Sequence, residues 1–366
     1  MKDSTFGFIG FGLIGGSIAK GIRRSCPDAK ILAYMRTRSK LEQAHQDGIV
    51  DVILDGVGAE LLECDIIFLC TPVEYNAQYL SSIRPYLKPG AILTDVGSTK
   101  TNIHQVVTDL GMEDVFIGGH PMAGSEKTGY ENATDHLLEN AYYIITPTAK
   151  TCEADTERMV AVAKLTGSIP IVLDYREHDR ITAAISHLPH LIASSLVNLV
   201  KDCDNQEGLM KRLAAGGFKD ITRIASSSPE VWEQICMTNT DNILQMLEAY
   251  ISSLQQIYND LQNRDSSAVH SLFDTSRAYR SSISDATRGS VTPDYSFTVD
   301  IVDEPGGIST LSCILSARGI SICNIGINHN REHGEGALRI TFYDEQAMNQ
   351  AWEQLKKYNY ELIKTQ

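Results

Sequence analysis

Thr5-Phe6-Gly7-Phe8-Ile9-Gly10-Phe11-Gly12-Leu13-Ile14-Gly15-Gly16-Ser17-Ile18-Ala19-Lys20-Gly21-Ile22 is the stretch that decides the fold. Its first five residues are an apolar run that reads as a buried strand. Gly10, Gly12 and Gly15 then fall in G-x-G-x-x-G spacing, and a helix opens behind them. In that setting the three glycines have separate tasks. Gly10 allows a tight turn, Gly12 lets a pyrophosphate approach the backbone, and Gly15 lets the helix pack closely on the strand. The free N–H groups at the helix start, around Leu13 and Ile14, meet the positive end of the macrodipole and favour phosphate. The stretch is therefore read as a dinucleotide-binding loop, against the alternative of a glycine-rich turn with no ligand.

The same alternation continues outward. Apolar strands are expected at residues 30–34, 49–54, 65–70, 91–96, 115–119, 142–146 and 169–173, with helices at 39–47 and 75–85. Near-continuous apolar strands separated by helices imply an α/β architecture with a parallel sheet covered on both faces. Residues 1–175 are assigned to this Rossmann-type domain. Over residues 176–290 strand signals disappear, and helical periods run through 179–200, 208–215, 229–263 and 268–282. Within them Ile243, Leu244, Leu247, Ile251, Leu254, Ile257 and Leu261 form an apolar stripe, read as core or dimer interface. This all-helical middle domain is expected to supply a dimer interface and one wall of the active-site cleft. Residues 290–294 read as a linker, and residues 294–366 follow the βαββαβ order of a ferredoxin-like unit.

Composition narrows the function. The 366 residues carry a net charge of −14, with 43% hydrophobic and 21% charged residues. An ordinary globular protein fits, and nucleic acid or an anionic membrane is not expected as a partner. An anionic substrate must then be held by a few placed cations. No apolar stretch is expected to reach the roughly 20 residues of a membrane span. The chain enters a strand within a few residues, so no signal peptide is expected. The eight cysteines include no C-x-x-C pair and read as free, buried thiols in a reducing cytoplasm.

Ligands of open parallel sheets bind beyond the carboxyl ends of the strands. Asp95-Val96-Gly97-Ser98-Thr99-Lys100 and Gly118-Gly119-His120-Pro121-Met122-Ala123-Gly124-Ser125-Glu126 follow two such ends. His120 is expected on a constrained loop at the crevice mouth, as acid or base, with Ser98 fixing its tautomer. Ser186-His187-Leu188-Pro189-His190 interrupts a helical pattern, and Pro189 should kink it. His187 and His190 share a face. No further ligand stands nearby, so capping of freed carbonyls is favoured over a metal pair, and no metal is expected. Lys219 and Arg223 are four apart behind Gly216-Gly217. They read equally as a fork for a carboxylate or as a solvated face paired with Asp220 or Glu230.

Together these motifs resemble the prephenate dehydrogenase family of tyrosine biosynthesis. The similarity runs through G-x-G-L-I-G-G-S, D-x-G-S-x-K, G-G-H-P-M-A-G-S-E, S-H-L-P-H and G-G-F-K-D-I-T-R-I-A, over nearly the first 290 residues. The resemblance implies that His120 takes the proton of the ring hydroxyl as hydride leaves C4 for a nicotinamide, with decarboxylation to an aromatic product. It implies that Ser98 orients His120 and contacts the nicotinamide. Arg223 would clamp a substrate carboxylate, and His190, His187 and Ser186 would line the pocket. Gly216, Lys219 and Trp232 would neighbour it, reached across a homodimer. Gly10, Gly12, Leu13, Ile14, Gly15, Arg36, Thr71, Pro72 and Ser98 are the expected cofactor contacts. The last unit resembles an ACT domain with tyrosine as effector, expected near Asp303, Pro305, Gly306 and Asn324.

One position departs from the NAD pattern. An acid is usual at the end of the second strand, but here Ala33-Tyr34-Met35-Arg36-Thr37-Arg38 stands there. Arg36 accommodates a 2′-phosphate, so NADP is favoured over NAD. Alternatives are an arogenate or cyclohexadienyl dehydrogenase, a β-hydroxyacid dehydrogenase with a catalytic lysine, or a non-catalytic dinucleotide and amino-acid sensor.

Overall fold

Alternate residues of the first strand point into two separate cores, and this places the sheet between two helical layers. In β1 (Thr5–Ile9), Phe6 and Phe8 join the cluster of Ile18, Ile22 and Met159, while Ile9 joins that of Leu80, Ile103 and Val107. The helices are α1 (Leu13–Ser25) and α2 (Arg38–Gln46), followed by α3 (Val73–Ile83), α4 (Thr101–Asp109) and α5 (Glu153–Leu165). The strands are β2 (Lys30–Tyr34), β3 (Val52–Ile53), β4 (Ile66–Leu69) and β5 (Ile92–Asp95), then β6 (Phe116–Pro121), β7 (Tyr142–Pro147) and β8 (Ile169–Val172). The sheet order is β3-β2-β1-β4-β5-β6-β7-β8. The coordinates are a computed structural model, which describes residues 4–124, 127–283, 295–301, 305–328 and 336–364. The chain divides into two units, Met1–Ile283 and Ser284–Gln366.

The expected all-parallel sheet needs one correction: β6 and β7 are antiparallel, with His120 opposite Ile144. A parallel return needs a crossover, usually a helix. Between β6 and β7 the described chain forms only a short 3₁₀ turn, Tyr130–Asn132.

The first helix begins at Leu13, with Gly12 as N-cap and no acidic residue in its first turn. Gly10 has φ +89°, and a Cβ there would lie 2.7 Å from the Cys70 backbone. A Cβ on Gly15 would press on the Gly10 carbonyl and on Cys70 at 3.0–3.1 Å. At Gly12 a Cβ would meet nothing within 4 Å, so the backbone faces open space.

Beyond β8 the unit is helical. The helices are α6 (Tyr175–Thr182), α7 (Leu188–Cys203), α8 (Leu209–Leu213), α9 (Gly216–Thr222), α10 (Pro229–Thr238), α11 (Thr240–Gln262) and α12 (Ser266–Ser282). A π-helical turn, Ala183–His187, joins α6 to α7 immediately before Pro189. The proline, which cannot donate to the ladder, is absorbed by a wider turn. The resulting helix Tyr175–Cys203 is long and apolar enough, by length and composition, to cross a membrane, with a mean hydropathy of 1.3 and 17% of that window buried. This corrects the expectation that no such stretch exists.

The single helix expected over 229–263 is two, broken at Asn239. On α11 only Ile243 of the stripe is fully buried, while Leu244, Ile251, Leu254 and Leu261 are exposed in the single chain. The cysteines also differ from expectation: all eight are free, but Cys152, Cys203, Cys313 and Cys323 are exposed.

The second unit contains β9 (Ser296–Ile301), α13 (Gly307–Ser316), β10 (Ile322–Asn328), β11 (Gly336–Phe342), α14 (Glu345–Lys357) and β12 (Glu361–Lys364). Its sheet runs β10-β11-β9-β12, antiparallel throughout. One core joins Phe297, Val299, Leu311, Leu315, Leu338 and Leu355. Gly306 caps α13 with φ +96°, where a side chain would be strained. Residues 284–294 and Asp303 lie outside the described residues.

Candidate active site

A buried carboxylate organises the carboxyl end of the sheet. The Asp174 side chain caps α6 and accepts from the N–H groups of Arg176 and Glu177, at 2.8 and 3.2 Å. This brings His178 and Asp179 into the sheet's flank, where both are buried. Asp179 Oδ1 accepts from the Lys100 N–H at 2.8 Å, and Oδ2 from the Thr101 N–H at 2.7 Å. It thereby supplies the cap that α4 lacks locally, where the dipole favours an anion. His178 Nδ1 lies 2.8 Å from Asp179 Oδ1. Burial alone would raise the Asp179 carboxyl, but hydrogen bonds from His178, Thr101 and Lys100 hold it below its ordinary value.

His120 is not on a loop. It is the fifth residue of β6, held by pairing with β7. Its partner is not Ser98: His120 Nδ1 lies 2.8 Å from His178 Nε2. His120 Nε2 makes no hydrogen bond among the described residues. Burial, then the neighbouring His178, Lys100 and His187, push the imidazole well below 6.5, so it is neutral at pH 7. Ser98 is part-exposed on the loop after β5, and the next residue, Thr99, shares a 3.0 Å hydrogen bond with Thr238 of α10.

Lys100 is fully buried and donates to Asp95 and, at 2.8 Å, to the Gly119 carbonyl. Burial draws its ammonium below the usual value against the attraction of Asp95. Asp95 also accepts from the N–H of Gly97 at 2.9 Å and of Gly119 at 3.2 Å. This pair fixes the two strand ends relative to each other.

The helical wall carries the other expected residues. Asn239, at the break between α10 and α11, donates from Nδ2 to the Asp179 carbonyl at 2.8 Å and lies 3.1 Å from His187 Nδ1. His187 meets Trp232 edge-on at 6.0 Å, and His190 stacks on Trp232 at 3.6 Å. His190 Nδ1 donates to the Ser186 carbonyl at 2.8 Å, as expected of a histidine beside a freed carbonyl. Burial lowers His190, and the charge of Arg223 lowers it further. Beside this wall lies a cavity of about 390 Å³, lined in part by His190, Ser194, Asn198, Ile224, Trp232 and Cys236. The structure thus joins His120, His187, His190, Trp232 and Arg223 in one chain of neighbours. Gly216, Lys219 and Arg223 are exposed in the single chain, and the considered pairing with Asp220 or Glu230 is not formed: Glu230 accepts from Ser228.

At the cofactor end, Thr71 donates to Asn76 at 2.8 Å, and Pro72 caps α3. Met35 packs on the core below the end of β2. Arg36 is exposed, with its guanidinium 5.5 Å from the Tyr75 ring centre, whereas Arg38 is engaged by Asp55 and Glu42. Among the described residues no group of three or more His, Cys, Asp or Glu side chains is placed to hold a metal ion.

Sequence reasoning missed His178, Asp179 and Asn239. The signal for the first two was a histidine and aspartate opening the helix that directly follows the last strand. Only the packing of α6 against β7 and α4 shows where that helix starts in space. Asn239 gave no signal, because the apolar period runs through it.

Comparison with known proteins agrees with this fold. A family model described as the prephenate dehydrogenase nucleotide-binding domain matches residues 18–170, and one described as the prephenate dehydrogenase dimerization domain matches 174–275. The chain is 37% identical to prephenate dehydrogenase of Bacillus subtilis over 347 residues, covering 94% of this chain and 93% of that protein. It is 36% identical to that of Lactococcus lactis over 355 residues, covering 95% and 96%. Its fold superposes on prephenate dehydrogenase from Aquifex aeolicus, solved with hydroxyphenyl propionate and NAD+. That match has a TM-score of 0.72 and 29% identity, covering 77% of this chain and 98% of that one.

Burial also pushes His104 and His187 down to about 4. Unfolded histidine titrates near 6.5. Stability from these neutral imidazoles is therefore complete above pH 6.5 and lost as pH falls from 6.5 towards 4. Urea midpoints should decline across that window, and less steeply in His104→Gln. A flat profile between pH 6.5 and 4.5 would contradict the burial of these rings.

Proposed function

This chain belongs to the prephenate dehydrogenase family, and we propose that His120 is the group through which it converts prephenate to 4-hydroxyphenylpyruvate by oxidative decarboxylation. The observation that carries this reading is the placement of His120: neutral, tied at Nδ1 and, among the described residues, free at Nε2, at the carboxyl end of β6.

A nicotinamide dinucleotide, when bound, supplies the hydride acceptor. Gly10, Gly12, Leu13, Ile14 and Gly15 would hold its pyrophosphate, with Thr71, Pro72 and Ser98 towards the nicotinamide. The open backbone at Gly12 and a helix start without an acidic residue suit that group. His120 Nε2 accepts the hydrogen bond of the ring hydroxyl and holds its proton as C4 gives up hydride. Loss of the ring carboxylate as CO₂ then restores aromaticity, and the phenolic oxygen recovers the proton. Arg223, exposed and near His190, offers its fork to a substrate carboxylate. His190, His187 and Ser186 line the pocket, with Trp232 stacked on His190. Gly216 and Lys219 would reach the site across a homodimer, whose interface the exposed side of α11 suits.

Arg36 supports a preference for NADP: it follows Met35, which stands where an acid would bind the ribose, and it has no carboxylate partner among the described residues, whereas Arg38 has two. The second unit is assigned as an ACT domain, on its βαββαβ order and the glycine turn before α13. Tyrosine is its proposed effector, bound near Pro305, Gly306 and Asn324. The cysteines, all free, fit a soluble protein of the cytoplasm.

Three experiments test these assignments. His120→Asn should lower kcat by about 10²–10⁴-fold, the range for a lost general base, while calorimetry shows cofactor binding unchanged. Retained turnover would remove the mechanism. Steady-state assays with NAD+ and NADP+ at equal concentration should favour NADP+, and a strong NAD+ preference would refute the role of Arg36. Tyrosine should inhibit, and Asn324→Ala should relieve the inhibition without changing kcat. Inhibition that persists in Asn324→Ala would place tyrosine elsewhere.

A further inference from the structure

We propose that His178 and Asp179 are positioning residues that hold His120 in the Nδ1–H tautomer and present its Nε2 lone pair to the substrate hydroxyl. This rests on reading His120 as the base and adds how that base is prepared.

The protons can be placed along three side chains in turn. Asp179 accepts three hydrogen bonds, from the Lys100 and Thr101 N–H groups and from His178. An ionised carboxylate can only accept. His178 must therefore donate from Nδ1 to Asp179. With His178 neutral, its one ring proton is given to Asp179 and Nε2 carries a lone pair. The 2.8 Å contact to His120 Nδ1 then requires His120 to donate. Its single proton sits on Nδ1, and Nε2 is left as an acceptor. The opposite tautomer would set two lone pairs against each other at 2.8 Å and would place a proton on the nitrogen meant to receive one.

The arrangement also supports the charged form during turnover. When Nε2 takes the hydroxyl proton, His120 keeps its Nδ1–H bond to His178, and the Asp179 anion lies at the far end of the chain. The titratable and charged neighbours of His120, which are His178 from α6, Lys100 at the N-cap of α4 and His187 from the π turn, all disfavour a cation there at rest, while Asp179 is reached only through His178. The base is thus neutral at rest and has an anion within two hydrogen bonds when it charges. Nothing in this device needs Ser98, which is left to contact ligands.

The test begins without mutation. In full-length protein with ¹⁵N-labelled histidine, long-range ¹H–¹⁵N spectra should show His120 with a protonated Nδ1 and a pyridine-type Nε2. A protonated Nε2 in the neutral resting protein would overturn the proposal. His178→Leu should lower kcat by about 10²–10⁴-fold, the range for losing a prepared base, with KM and cofactor affinity little changed. His178→Gln should recover much of the loss, because its carbonyl oxygen can accept from His120 Nδ1. Wild-type kcat in His178→Leu, or equal loss in both variants, would overturn it. His120→Asn separates the two readings. If that variant is active, the base itself is wrong. If it is inactive while His178→Leu is fully active, only the relay falls.

Discussion

One carboxylate at one helix end holds this site together. Asp179 sits at the N-terminus of α4, accepts from the N–H groups of Lys100 and Thr101, and binds His178, which in turn binds His120. A buried carboxylate is costly unless it is fully hydrogen-bonded. Here the positive end of α4 and three donors meet that cost. The consequence reaches across the unit. The loop after β5, the start of α6 and the carboxyl end of β6 are locked in one hydrogen-bonded frame, and Asn239 attaches the α10–α11 junction to it through the Asp179 carbonyl. The sheet therefore positions His120, and the helical segment is latched to the sheet at Asp179.

The glycine loop was legible because its requirements are local. A positive φ at Gly10 and the close packing at Gly15 follow from short-range sterics that the spacing already encodes. The helical segment and the βαββαβ unit were legible for a similar reason, since periodicity survives without tertiary information. What the sequence hid was non-local. His120 looked like a loop residue because Gly118-Gly119 and Pro121 surround it. In the fold these small residues belong to a strand whose neighbours crowd it: a Cβ on Gly118 would lie 2.3 Å from Thr146 Oγ1. The partnership of His120 with His178 spans 58 positions, and no local pattern reports it. Asn239 was hidden for the opposite reason, since an uninterrupted apolar period concealed a helix break.

The apolar surface of the helical segment belongs to the same design. A chain with net charge −14 has little reason to leave Leu244, Ile251, Leu254 and Leu261 exposed along one helix unless another surface covers them. The dimerization-domain match over 174–275 supports a homodimer. The helix Tyr175–Cys203 is apolar too, with 17% of its apolar window buried in the single chain. It also carries His178, Asp179, His187 and His190, each hydrogen-bonded within the unit. The π turn before Pro189 joins its two halves.

The account depends on His120 Nε2 meeting the substrate oxygen. A crystal structure of this chain with NAD+ or NADP+ and a 4-hydroxyphenyl product analogue measures that contact directly. The account predicts the analogue's hydroxyl oxygen about 2.6–3.2 Å from His120 Nε2, with His120 Nδ1 still on His178. A ring bound with its hydroxyl turned away, and Nε2 facing only water, would contradict it.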